Sequence, residues 1–203
     1  MTNDTASARP FFGLMIAWLV LACIAGATGR VALLAPPLPQ VMIGAITLLL
    51  VLAGALHPGL RSWLAQVNLR GFVAFHLTRF VGVVFLLMNA RGQLTGEFAI
   101  PAGWGDIVVA IGALAIVALL RDPLARPRAL MLWNALGLAD ILAVVVIAAK
   151  LGMRDPSLVA PLLRFPMSLV PTFVVPMIVA SHVLIDRRLR AAPPRLPAPV
   201  ALP

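Results

Sequence analysis

The sequence predicts an all-α polytopic membrane protein, a bundle of about six transmembrane helices, and three observations carry that prediction. Hydrophobic residues make up 62% of the chain and charged residues 11%, with a mean hydropathy of +1.03; a soluble domain has roughly 45–50% apolar and ~25% charged residues. Six apolar stretches approach the ~20 residues that cross a hydrocarbon core of ~30 Å. All but one of the Lys and Arg residues, and most Pro and Asp residues, fall outside those stretches, in segments too short to hold a separate soluble domain.

Taken in order, the predicted spans are Phe11–Gly29, Leu38–His57, Gly71–Ala90, Trp104–Leu120, Ala129–Ala149 and Phe165–Ile185. The first two carry almost no polar chemistry, and Pro36-Pro37-Leu38-Pro39 between them is a stiff turn. After His57-Pro58-Gly59, residues 61–70 mix Trp63, Leu64 and Val67 with Arg61, Gln66 and Asn68, which suits a short helix in the membrane interface. Gly92, Gly96, Gly103 and Pro101 make residues 91–103 a shaped outer loop, with Glu97 its one acid. The fourth and fifth spans share a short pattern, Gly103-Trp104-Gly105-Asp106 and Gly137-Leu138-Ala139-Asp140, which is either an inverted repeat of the kind many secondary transporters use or, the favoured reading, coincidence in apolar sequence. Pro166, Pro171 and Pro176 should free backbone carbonyls and interrupt the sixth span. The domain plan is a cytoplasmic N-terminal segment over residues 1–10, the six-helix domain over 11–185, and a basic, Pro-rich cytoplasmic tail over 186–203.

The net charge of +9 marks topology and lipid contact, not nucleic-acid binding. With six spans, one side carries ten basic residues, Arg9, Arg61, Arg70, Arg121, Arg126, Arg128, Arg187, Arg188, Arg190 and Arg195. The opposite side carries five, Arg30, Arg91, Lys150, Arg154 and Arg164. The positive-inside rule then places both termini in the cytoplasm, with membrane lipids as partners. Arg9 and the run ending at Cys23 make a poor lipoprotein signal, because Leu21 is bulky and the apolar stretch continues past the cysteine. A single cysteine rules out an intrachain disulfide and any multi-thiolate cluster.

Ionisable residues inside the spans are the candidates for function. Arg79 lies ~12 Å from the inner end of its span and Asp140 ~16 Å from the inner end of its own, at ~1.5 Å per residue. An unpaired charge at a helix centre costs about 2.5–3.5 kcal/mol, so the two should pair. His76, three residues before Arg79, and Asn134, before Asp140, extend this into an intramembrane polar site of His76, Arg79, Asn134 and Asp140. Two readings stand side by side: the cluster locks the helix arrangement, or it lines a polar cavity for a solute or proton.

Asp106 also has two readings. It sits in the first turns of the fourth span, where the helix dipole favours a carboxylate, or it joins Asn89, Arg91 and Glu97 at an outer mouth. His76 and His182 fall at similar depth and invite haem ligation, though three histidines without a repeated spacing are weak grounds, and the expectation is no cofactor and no metal. No phosphate loop, nucleophile elbow or His-Glu-x-x-His motif occurs, so catalysis has no positive support.

The runs FHLTRFVGVVFLLMNARGQLTGEFAIPAGWGD, from Phe75 to Asp106, and LWNALGLAD, from Leu132 to Asp140, carry a family likeness. Over about a third of the chain, the protein resembles uncharacterised bacterial multi-pass inner-membrane proteins that have no assigned activity. That resemblance implies a bacterial inner-membrane location and carries over no site residue. The sequence thus leads to small-solute or proton-coupled transport through the Arg79–Asp140 site, in a homo-oligomer or beside a membrane partner. The alternative is a non-catalytic membrane component whose buried charges only fix packing.

Overall fold

The computed structural model describes residues 4–191, and over the described residues the regular structure is helical throughout. Residues 1–3 and 192–203, with the end of the expected tail, lie outside the described residues. Helix α1 covers Asp4–Ala27, α2 Leu38–Leu56, the short α3 Pro58–Gln66, α4 Leu69–Ala90, α5 Gly96–Leu119, α6 Pro127–Arg154 and α7 Val170–Ala191. Five of these, α2 and α4 to α7, are long and apolar enough to cross a membrane, whereas the apolar stretch of α1, Phe11–Ala27, is shorter.

Local signals set the boundaries. His57 ends α2 and caps α3, its Nδ1 accepting from the Leu60 amide at 3.3 Å, and Pro58 occupies the first helical position. Asn68 caps α4 through Oδ1 at 2.8 Å from the Arg70 amide. At the far end of α4, Gly92 takes φ 68, which only a residue without Cβ adopts freely, and turns the chain toward α5. The C-terminal carbonyls of α3 are met by Arg188, whose Nη1 donates to Leu64 O at 2.9 Å and Val67 O at 2.8 Å. Arg70 does the same for α5, donating to Val117 O.

Several boundaries depart from the expectations, among them the start of α1 at Asp4 and the end of α6 at Arg154. Residues 96–103 are not an outer loop: α5 starts at Gly96, with Thr95 as cap, Glu97 in the first turn and Pro101 inside the helix. Thr95 Oγ1 accepts from the Glu97 amide, and the acid complements the helix dipole, so the capping signal prevails over Pro101 and the glycines. The sixth span starts later than Phe165, because residues 165–168 form turns and α7 opens with a π-helical turn at Val170–Val174. It also runs beyond Ile185 to Ala191, so the expected tail is helical over residues 186–191. Asp186 pairs with Arg190 one turn on at 2.7 Å, and the Arg188 contacts to α3 hold this last stretch against the bundle.

Packing follows the polarity. The second half of α4 lies against α5, α5 against α6, and α6 against α7; α2 leans on α7, and α1 on α3. Buried positions include His76, Arg79, Asp106, Asn134, Ser168, Thr172, Ser181 and His182. Leu14, Leu21, Leu49, Ile111, Leu136 and Met153 stand exposed. A water-soluble bundle distributes these the other way, and this distribution fits lipid as solvent.

Helix α1 is tied to α7 beside a proline. Pro176 has no amide hydrogen to offer the carbonyl four residues back, that of Thr172. Trp18 Nε1 donates to Thr172 O at 3.1 Å, and its ring packs on Phe173 at 4.6 Å between centroids.

Candidate functional site

At the centre of α4 the helix tightens into a 3-10 segment, His76–Phe80. Thr78 turns its hydroxyl back to Phe75 O at 2.8 Å, an interaction that competes with regular α-helical bonding. In a 3-10 turn residues three apart eclipse one another, so His76 and Arg79 project on the same line into the bundle.

Arg79 is 0% exposed and bonded on three sides. Its Nε donates to Asp106 Oδ1 at 2.6 Å, its Nη1 to Gly137 O at 2.8 Å and its Nη2 to Asp140 Oδ2. One side chain from α4 therefore ties α5 and α6 together. Asp106 reaches it because α5 begins at Gly96: ten residues of helix carry the carboxylate ~15 Å inward. It sits with Arg79 and not with Asn89, Arg91 and Glu97, and it lies well past the first turn of its helix.

The two carboxyl groups are not equivalent. The Asp106 side chain is 5% exposed and that of Asp140 24%. Close approach depends on glycine. A Cβ at Gly105 would lie 2.7 Å from Asp140 Cγ, and one at Gly82 would lie 2.9 Å from Asp106 Cβ. Counted as ions, one guanidinium faces two carboxylates, so the trio is neutral only when one carboxyl group carries a proton.

A second polar layer adjoins the first. Ser181 commits its proton to Ile178 O at 2.8 Å, so the His76 Nε2–H donates to Ser181 Oγ at 3.0 Å. Asn134 Nδ2 donates to His182 O at 3.1 Å, which turns Asn134 Oδ1 toward His182 Nδ1 and makes that nitrogen the donor at 2.8 Å. Both assignments leave a lone pair, on His76 Nδ1 and on His182 Nε2, and neither atom has a partner among the described residues. The rings lie against each other at 4.2 Å between centroids, with Trp133 edge-on to His76 at 5.0 Å. No gap remains between the imidazoles for a macrocycle, so the pair does not fit axial haem ligation. Among the described residues, no cluster of three or more His, Cys, Asp or Glu is arranged to hold a metal ion.

The expected outer-mouth residues fall elsewhere. Glu97 takes both guanidinium arms of Arg154 at 2.7 and 2.9 Å on the exposed rim joining α5 to α6. Asn89 donates to Leu94 O at 2.9 Å and shapes the α4–α5 turn, and Arg91 is exposed beside it.

Nothing in the sequence marked Ser181 as the partner of His76, or Gln40 and the cavity it helps line. A cavity of about 260 Å³ descends from the connections around Leu33–Pro36 and Pro156–Leu163 to Asp106, between α2, α6 and α7. Among its lining side chains only Asp106 and Gln40 are polar. A groove of about 310 Å³ along α2 adjoins it and shares Gln40, Ile43 and Val145. Proline spacing in Pro36-Pro37-Leu38-Pro39 signalled a stiff turn there, but a void between helices leaves no mark in hydropathy.

Residues 36–190 match a family model described as Domain of unknown function (DUF8737). Neither the curated proteins nor the solved structures contain a match to this chain.

Proposed function

The chain belongs to the DUF8737 family, whose description assigns no activity, and we propose from the site itself that the protein is a small proton-linked transport component of a bacterial inner membrane. Arg79 is the fixed strut, and Asp106 and Asp140 are the exchangeable groups. One observation carries the reading: a single buried cation holds two carboxyl groups in unequal surroundings, one lining a cavity and the other partly open. Gaining or losing a proton changes the charge that Arg79 must balance, and the three helices it joins feel the change.

In this reading α1 is a sixth crossing, both termini are cytoplasmic, and the connections bounding the cavity face outward. Ten basic residues against five support that orientation. Arg79 offers no free face to a solute anion, since it is buried and bonded on three sides, so the guanidinium organises the site and the carboxyl groups do the exchanging. Two copies, or a copy and another membrane protein, would extend the path through so small a bundle.

Infrared difference spectra of the protein in lipid, recorded between acid and neutral pH, test the reading. A carboxylic C=O band that disappears on acid-to-neutral transfer and is lost in Asp140→Asn or Asp106→Asn supports it. A spectrum unchanged by both substitutions in folded protein removes it. The burial of Arg79 also favours a second reading, a purely structural lock. That reading wins if a triple replacement, Arg79→Met with Asp106→Leu and Asp140→Leu, keeps the fold and every pH response of the parent.

A further inference from the structure

The cavity beside Asp106 is shaped for something other than a small hydrophilic solute. Its walls are Ile, Val, Leu, Phe, Pro and Ala, with Gln40 near the connections and Asp106 at depth as the polar exceptions. Transfer of a bare polar molecule into such walls forfeits its hydration without return, whereas an aliphatic chain gains roughly 0.8 kcal/mol per buried methylene from water. If a methylene fills about the ~30 Å³ that a water molecule does, about nine fit in the 260 Å³ available.

Access is lateral. The groove along α2 shares Gln40, Ile43 and Val145 with the cavity, so the two voids adjoin across those side chains between α2 and α6. α2 packs against α7 and α3, and Leu48 and Leu49 on it are exposed, so the groove faces the same solvent as the outer surface of α2. In a membrane that solvent is acyl chain.

The polar atoms say which head group fits. Gln40 Oε1 is buried and has no donor among the described residues, and Thr47 Oγ1 on the groove is in the same position. Asp106 presents a carboxylate whose Oδ1 already accepts from Arg79. An orphaned buried acceptor calls for a donor, and a second acceptor there would be repelled. We propose that the adjoining cavity and groove bind a single-chain amphiphile that enters from the bilayer, its aliphatic chain among the apolar walls and its hydrogen-bond-donating head group, a hydroxyl or an ammonium, on Gln40 Oε1. The inference deepens the transport reading by naming what the cavity takes, and it rests on that reading only in treating Asp106 as the inner end of the path.

The test uses the full chain in nanodiscs of phosphatidylethanolamine and phosphatidylglycerol, with a dodecanol probe bearing a diazirine at the tail end. Photolabelling, mapped by mass spectrometry, should concentrate in the wall segments around Val144–Ala148 and Val174–Ile178. Unlabelled dodecanol or dodecylamine should suppress it severalfold, and dodecanoate and dodecane much less; the better of the first two competitors identifies the head. Ala148→Phe, which fills the cavity, should cut labelling severalfold, with Ile43→Phe as the second filling variant should the first not fold. Gln40→Leu should keep the labelling and lose the preference for dodecanol over dodecanoate. Labelling spread evenly over the exposed helix faces, equal competition by all four compounds, or indifference to the filling variants would overturn the proposal. Concentrated, competed labelling beside an unchanged infrared spectrum in Asp106→Asn and Asp140→Asn would retain the ligand class and dismiss the proton linkage, and the reverse outcome would do the opposite.

Discussion

Two arginines join α5 to α6, and they do so in opposite surroundings. Arg154 grips Glu97 with both arms at the rim, where the two side chains are 56% and 57% exposed. Arg79, 0% exposed, holds Asp106 and Asp140 at the middle of the bundle. The rim pair has the better fork geometry, yet water or head groups stand ready to replace either partner. At the centre Asp106, 5% exposed, has no replacement for Arg79 and is held by the lack of an alternative, whereas Asp140, 24% exposed, is held less tightly. The lesson is that the dielectric around a pair, more than its geometry, decides what losing a member costs.

The comparison breaks most sharply at Arg79→Met. That change leaves two carboxyl groups facing each other without a cation and should cost about 3–5 kcal/mol, read as a large fall in the thermal unfolding midpoint in detergent, or as no folded protein. Asp106→Asn removes one charge-assisted bond in the driest part of the site and should cost about 2 kcal/mol by the same assay. Gly137→Ala puts a methyl group 2.7 Å from His182 Cε1, and because Asn134 pins that ring, about 1–3 kcal/mol should be lost. Asp140→Asn leaves Arg79 balanced one-to-one by Asp106, so it should shift stability by less than about 1 kcal/mol while abolishing the pH response. At the rim, Glu97→Gln should leave the unfolding midpoint within scatter. A rim loss as large as the Arg79 loss would mean that burial does not rank these pairs.

Much of this frame was legible and some was not, for separate reasons. Hydropathy located the cores of the spans from Leu38 onward, since lipid imposes a length on every crossing. Depth arithmetic put Arg79 and Asp140 at one level, and their side chains meet. The same arithmetic misplaced Asp106, because it depends on where a helix starts, and Gly96, Pro101 and Gly103 obscured a start that Thr95 and Glu97 marked. His76 and His182 were expected at similar depth, but their contacts with Ser181 and Asn134 depend on how the helices pack. Neither pattern nor composition indicates a space between helices, and the cavity at Gln40 is such a space.

The indole of Trp18 holds the Thr172 carbonyl, an oxygen to which Pro176, four residues on, can donate nothing. A missing hydrogen in the last helix creates a vacancy, and a tryptophan more than one hundred and fifty positions earlier fills it. Restoring that hydrogen with Pro176→Ala would let the backbone reclaim its own oxygen and evict the indole. Trp18→Phe would unfasten the same latch from the other side. The first helix should then come loose to a similar degree in both variants, and the double variant should be no looser than either alone.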